Sequence, residues 1–189
     1  MTLDNLPTAV LLIALIAAAA IDIKRHRLPN VLTVSTALLG IVFQCWLYGW
    51  SGFLNGLGGF CIGLFLLLPF YAMRWMGAGD VKLMAAVGIF LGWPYSLLAV
   101  ALTTGAGAVA ALGLLAAKGG LTNYLRRYGA MAKCLLLTGR VAYVPPEQEE
   151  SSTLLFPYAL AIALGTFATL AWAGRLDTFL DLLIGGVHV

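Results

Sequence analysis

The sequence predicts an all-α fold: a polytopic membrane helical bundle of six transmembrane helices, N-terminus outside, with an amphipathic helix on the cytoplasmic face. Three observations lead there. Hydrophobic residues make up 61% of the 189 and charged residues only 10%, with a mean hydropathy of +0.95, more apolar surface than a soluble domain of this size hides. The apolar residues gather into runs near span length, separated mostly by short turns. The basic residues keep to alternate turns, as the positive-inside rule requires. Spans and connections use nearly all the length, so residues 1–189 read as a single membrane-embedded domain.

Residues 7–21 are apolar throughout and form the first span. A secretory leader would carry its basic residues ahead of such a run. Here Asp4 precedes it and Lys24, Arg25 and Arg27 follow, so the segment is expected to be retained. Pro29 stops one helix and Asn30 is expected to cap the next. Val31–Tyr48 is the second span, Gly49–Gly52 an uncharged outer turn, and Trp46, Tyr48 and Trp50 fit an interfacial belt. Leu54–Tyr71 is the third span, with Pro69 expected to bend its end. Val81–Gly92 is short for a crossing, which normally takes about 20 residues. Either the helix starts near Gly79 and is thin, or the membrane surface dips beside Asp80. Trp93-Pro94-Tyr95 is expected to form a tight outer turn before the fifth span, Ser96–Ala117, whose Gly105, Gly107 and Gly113 suit close helix packing.

Lys118–Thr153 is the one long polar connection. Within it Leu121, Tyr124, Leu125, Tyr128, Ala132, Leu135 and Leu136 recur at helical spacing opposite Arg126, Arg127 and Lys133, the pattern of a basic helix lying on anionic membrane lipids. Pro145–Glu150 reads as a solvated linker. Leu154–Trp172 is the sixth span, and the weakly amphipathic tail from Arg175 lies outside. Six spans place ten of the eleven basic residues inside and leave only Arg175 outside. No basic face stands apart from that boundary pattern, so nucleic acid is not an expected partner. Cys45, Cys61 and Cys134 are isolated, with no CxxC pair, and read as buried small hydrophobes rather than a disulfide or zinc framework. His26 has no partner acid or histidine nearby, and neither a metal nor a cofactor is expected.

The topology puts two acids, Asp22 and Asp80, at the same inner face. An acid at the edge of a span is costly to keep and marks a functional site by default. Two carboxylates brought close cannot both ionise easily and share one proton. One can then take a proton from water while the other polarises a peptide carbonyl, and the pair titrates as a unit. Gly77 and Gly79 flank Asp80, permitting non-helical backbone and the approach of another chain.

Asp22-Ile23-Lys24-Arg25-His26-Arg27-Leu28-Pro29-Asn30, followed by Gly77-Ala78-Gly79-Asp80-Val81-Lys82, resembles the paired signature of the type IV prepilin peptidases, GxGD aspartic proteases of the bacterial inner membrane. Phe156-Pro157-Tyr158-Ala159-Leu160 resembles their proline-aromatic segment near the last span. The resemblance covers most of the chain. It implies that Asp22 and Asp80 are the catalytic pair, with Gly77, Gly79, Lys82, Arg27, Pro29, Asn30, Pro157 and Tyr158 as substrate-binding or supporting residues. It also implies a prepilin substrate, a basic leader joined to a hydrophobic helix, cut at the cytoplasmic face. Larger members carry an insertion with two CxxC pairs near which N-methyltransferase activity resides; this chain has neither. It therefore resembles the small peptidase-only branch found with tight-adherence (Flp) pili, the TadV or CpaA type, and methylation is not expected.

Each supporting residue also has a plainer role. Lys82 suits either orientation of Asp80 or snorkelling to headgroups, Arg27 the inner-face charge, and Pro157 a helix start. Rival functions are a proton-coupled transporter with Asp22 and Asp80 as relay groups, and a non-enzymatic pilus-assembly scaffold. Against transport, both acids lie at one face and no inverted repeat is evident.

Overall fold

The apolar runs become helices, broken at Pro29, Gly77 and Gly92 and bent back at Gly49. The computed structural model describes residues 5–25, 27–73, 76–117 and 158–176. Among them are five helices: α1 (Leu6–Arg25), α2 (Asn30–Ala72), α3 (Ala78–Leu91), α4 (Trp93–Ala117) and α5 (Tyr158–Trp172). The predicted amphipathic helix at 121–136, the linker at 145–150, the tail beyond 176, His26 and Pro157 lie outside the described residues. The chain divides into two compact units, residues 1–106 with 157–189, and residues 107–156. Asp22 and Asp80 both belong to the first.

At about 1.5 Å per residue, a straight α2 would run roughly 65 Å, about twice the hydrocarbon thickness. It is not straight. Gly49 has φ 60° and ψ −140°, a conformation that costs glycine little. A Cβ placed on Gly52 would strike the Gln44 carbonyl oxygen, although eight residues of straight helix span about 12 Å. The chain therefore folds back at Gly49 into two arms, 30–48 and 50–72. The predicted outer turn is confirmed in place but shrinks to one residue. Three described helices, α1, α2 and the Trp93–Leu114 stretch of α4, are long and apolar enough to cross a membrane.

α3 has only 14 residues, about 21 Å of helix. Val81 and every residue from Leu83 to Leu91 are buried. A helix sheathed in protein has no need to match the thickness of the lipid. α3 packs against both arms of α2, and against α1 and α5. Glycine makes the closest of these contacts. A Cβ on Gly59 would meet the Gly88 carbonyl, and one on Gly88 the Gly59 carbonyl, so the two backbones touch. A Cβ on Gly63 would come within 2.5 Å of the Met84 carbonyl oxygen. Small residues at such crossings let dispersion replace the hydrophobic effect that lipid cannot supply.

Two local expectations are corrected. The turn placed at Trp93-Pro94-Tyr95 is made by Gly92 (φ 79°), held by the Trp93 N–H donating to Asn55 Oδ1 at 3.1 Å, and Pro94 sits in the first turn of α4. Cys45 is exposed rather than buried, and Cys61 is half-buried. Position 45 faces away from α3, on the surface that also exposes Trp46 and Val42.

Candidate active site

The C-terminus of α1 and the N-termini of α2, α3 and α5 meet at one end of the bundle. Asp22 arrives there in the last turn of α1, 6% exposed. Its Oδ2 accepts the Ala159 N–H at 3.1 Å, a buried bond across 137 residues of sequence. The first N–H groups of a helix have no partner within it. The Asp22 carboxylate satisfies one of those of α5 and lies at the positive end of its dipole. α1 and α5 pack along their lengths, which holds this bond in place.

Asp80 arrives on the first turn of α3, outside the three long apolar helices. Its Oδ2 accepts the Gly77 N–H at 3.1 Å, while its own N–H donates to the Gly77 carbonyl at 3.2 Å. This is half a capping box closed on the preceding backbone. Burial and the nearby negative charge of Asp22 together push Asp80 up to about 6, against a smaller lowering by the Gly77 hydrogen bond. The two acids are thus electrostatic neighbours. A Cβ on Gly79 would meet the Leu28 side chain at 2.9 Å, which brings the Leu28–Asn30 turn against the Gly77–Asp80 turn.

The supporting residues divide. Lys82 Nζ donates to Asn30 Oδ1 at 3.0 Å, tying the start of α2 to α3. Asn30 does not cap α2: it is the first helical residue, Pro29 holds the cap position, and no side-chain cap bond forms. Proline fixes the backbone there without contributing a donor. Arg27 is exposed in the same turn. Tyr158, the first residue of α5, has its hydroxyl in hydrogen-bonding reach of the Thr104 side chain and feels the charge of Asp80. Thr104 and the Ala159 N–H were missed by sequence reasoning. Pro157, read in the sequence as a helix-start proline, was the available signal for the N–H; a threonine in an apolar span gave none. Among the described residues no group of three or more His, Cys, Asp or Glu is placed to hold a metal.

A carboxyl pushed up to about 6 by burial and a second carboxylate, at the end of an apolar bundle, is an arrangement that can share a proton and activate water. Residues 9–112, which contain both acids, match the Type IV leader peptidase family. The chain belongs to that family. It is also 36% identical over 95 residues to the prepilin leader peptidase/N-methyltransferase of Pectobacterium carotovorum subsp. carotovorum, a match covering 44% of this chain. The match spans about a third (32%) of the length of that curated relative. No solved structure matches. The Gly77–Asp80 turn and Asp22 both fall within the matched residues.

Proposed function

We propose that this family member is an aspartic endopeptidase of the bacterial inner membrane that removes the leader of Flp-type prepilins at the cytoplasmic face. The observation that carries the proposal is the electrostatic pairing of Asp22 and Asp80 at the end of the bundle that also bears Lys24, Arg25, Arg27 and Lys82. Basic residues mark the cytoplasmic side. The proposed topology has six crossings: α1, the two arms of α2, α3 from Val81 onward, α4 and α5 with the residues ahead of it. Asp80 then stands at the inner lip of the fourth.

In the proposed reaction one carboxylate takes a proton from water as its oxygen attacks the scissile carbonyl carbon. The other, protonated, donates a hydrogen bond to the carbonyl oxygen. The proton then passes to the peptide nitrogen as the C–N bond breaks, leaving a free leader carboxylate and a new pilin N-terminus. The pair acts as a unit, so neither acid is assigned a fixed role. The apolar helix of a prepilin suits the exposed apolar flanks of the spans, and its basic leader remains among the inner turns. The exposed Gly77 leaves room beside Asp80 for an extended peptide. With no CxxC pair in the chain, cleavage without methylation is proposed.

Co-expression with a Flp-type prepilin is expected to yield a shortened pilin, and Asp22→Asn and Asp80→Asn are each expected to abolish the product. Full processing by both variants would reject the proposal. Ion uptake into proteoliposomes that needs the same acids, without cleavage, would point to transport instead.

A further inference from the structure

A cavity among the described residues lies at the other end of the bundle from the two acids, and peptide cleavage leaves it unused. It encloses about 560 Å³, within the range of small-molecule sites. Its lining includes polar Thr8, Gln44, Ser51 and Arg175 and apolar Leu11 and Phe43. No carboxylate is among its described lining residues.

Two of these side chains keep polar groups that their contacts do not use. Gln44 is 7% exposed, and its Nε2 donates to the carbonyls of Ile89 at 2.8 Å and Phe90 at 3.5 Å. Those two acceptors fix which way the amide points. Its Oε1 is left buried with no donor among the described residues, a costly state for an amide oxygen. Arg175 is the basic residue that the topology strands on the outer side. Its Nη1 donates to the same Phe90 carbonyl at 3.4 Å, and its guanidinium lies over the Tyr95 ring at 5.4 Å from the centroid. Stacking and a single bond leave other guanidinium donors available for an acceptor.

Because both side chains bond the Phe90 carbonyl, a buried acceptor and a cation with spare donors stand side by side. A ligand that satisfies both carries a hydroxyl to donate to Gln44 Oε1 and an anionic group for Arg175. The apolar lining residues suit a hydrocarbon portion. We propose that this cavity binds a phosphate carrying a neighbouring hydroxyl, as in the phosphoglycerol headgroup of an outer-leaflet phospholipid, and that Gln44 and Arg175 are its recognition pair. The same headgroup chemistry exists free in solution as a polyol phosphate.

The test uses the full chain purified in a non-ionic detergent and analysed by native mass spectrometry. Phosphatidylglycerol, sn-glycerol 3-phosphate and phosphatidylcholine are titrated separately. The wild-type protein is expected to retain one phosphatidylglycerol, with roughly tenfold weaker retention in Arg175→Gln, since a charge-assisted contact is lost. Gln44→Met is expected to weaken retention as well, whereas an empty cavity would leave that variant unaffected or more stable. Retention of the lipid but not of sn-glycerol 3-phosphate assigns the site to the membrane; retention of both assigns it to the headgroup alone. Prepilin processing checks that each variant is folded, and if Arg175→Gln is not, Gln44→Met decides. Equal retention of phosphatidylglycerol by wild type and the folded variants, or equal retention of phosphatidylcholine, overturns the proposal.

Discussion

Asp22 and Asp80 make the same kind of bond in unlike surroundings. Each accepts a backbone N–H at the start of a helix, at 3.1 Å. For Asp22 the helix is another one, α5, and the carboxylate is 6% exposed. For Asp80 the helix is its own, the partner is three residues away, and the exposed Gly77 leaves that side of the turn open. One acid is built into the frame that joins α1 to α5. The other sits on a lip where burial and its neighbour's charge both work against ionisation. Sharing a proton needs only that the two carboxylates be close, and unequal surroundings bias which of them holds it.

Substitutions that separate the two roles should break this contrast if it is wrong. The largest expected effect is on cleavage: Asp22→Asn or Asp80→Asn should each reduce the prepilin cleavage rate by roughly 10³-fold or more in a purified assay, and the double variant should be no worse than either single one. Stability should then divide the acids. Asp22→Ala leaves the Ala159 N–H buried without a partner and should cost about 1–3 kcal/mol, measured as a lower thermal midpoint in detergent. Asp80→Asn should behave differently. A carboxyl raised from 3.8 to about 6 contributes stability that is fully present below about pH 3.8 and lost as pH rises through 6. At pH 8 the Asp80→Asn midpoint should therefore equal or exceed that of the wild type, and at pH 4 the two should coincide.

The packing that supports both acids gives a further effect. Gly59→Ala would drive a Cβ into the Gly88 carbonyl and separate α2 from α3, at a cost of about 1–3 kcal/mol, with cleavage lost in proportion to the folded fraction. The pH profile should show the cleavage rate falling as pH rises through about 6, where the shared proton leaves. Smallest is Lys82→Met: its bond to Asn30 is exposed, and the rate should change by no more than about twofold, as expected of a surface contact.

Much of the fold was legible in the sequence because lipid imposes strong rules. Span length and the placement of basic residues suffice to put Asp22 and Asp80 at one end. The hairpin at Gly49 was legible from a glycine between two apolar runs, each close to span length. The role of α3 was not, because a short apolar run does not reveal that Val81 and Leu83–Leu91 are all buried among other helices. Asn30 was misread as a cap because a side chain that can cap equally well takes Lys82 across 52 residues of sequence. Cys45 was misread because an apolar run does not reveal which face meets lipid. The outer cavity left no sequence signal beyond the stranded Arg175, since Gln44 in a span looks like any packed polar residue.

The most direct measurement is the infrared titration of the Asp80 carboxyl, identified by isotope labelling, in the wild type and in Asp22→Asn. A protonated carboxyl band is expected to disappear near pH 6 in the wild type and at lower pH in the variant, because the charge that holds the proton on has been removed. An Asp80 titration that does not move when Asp22 is neutralised would contradict the pairing of the two acids.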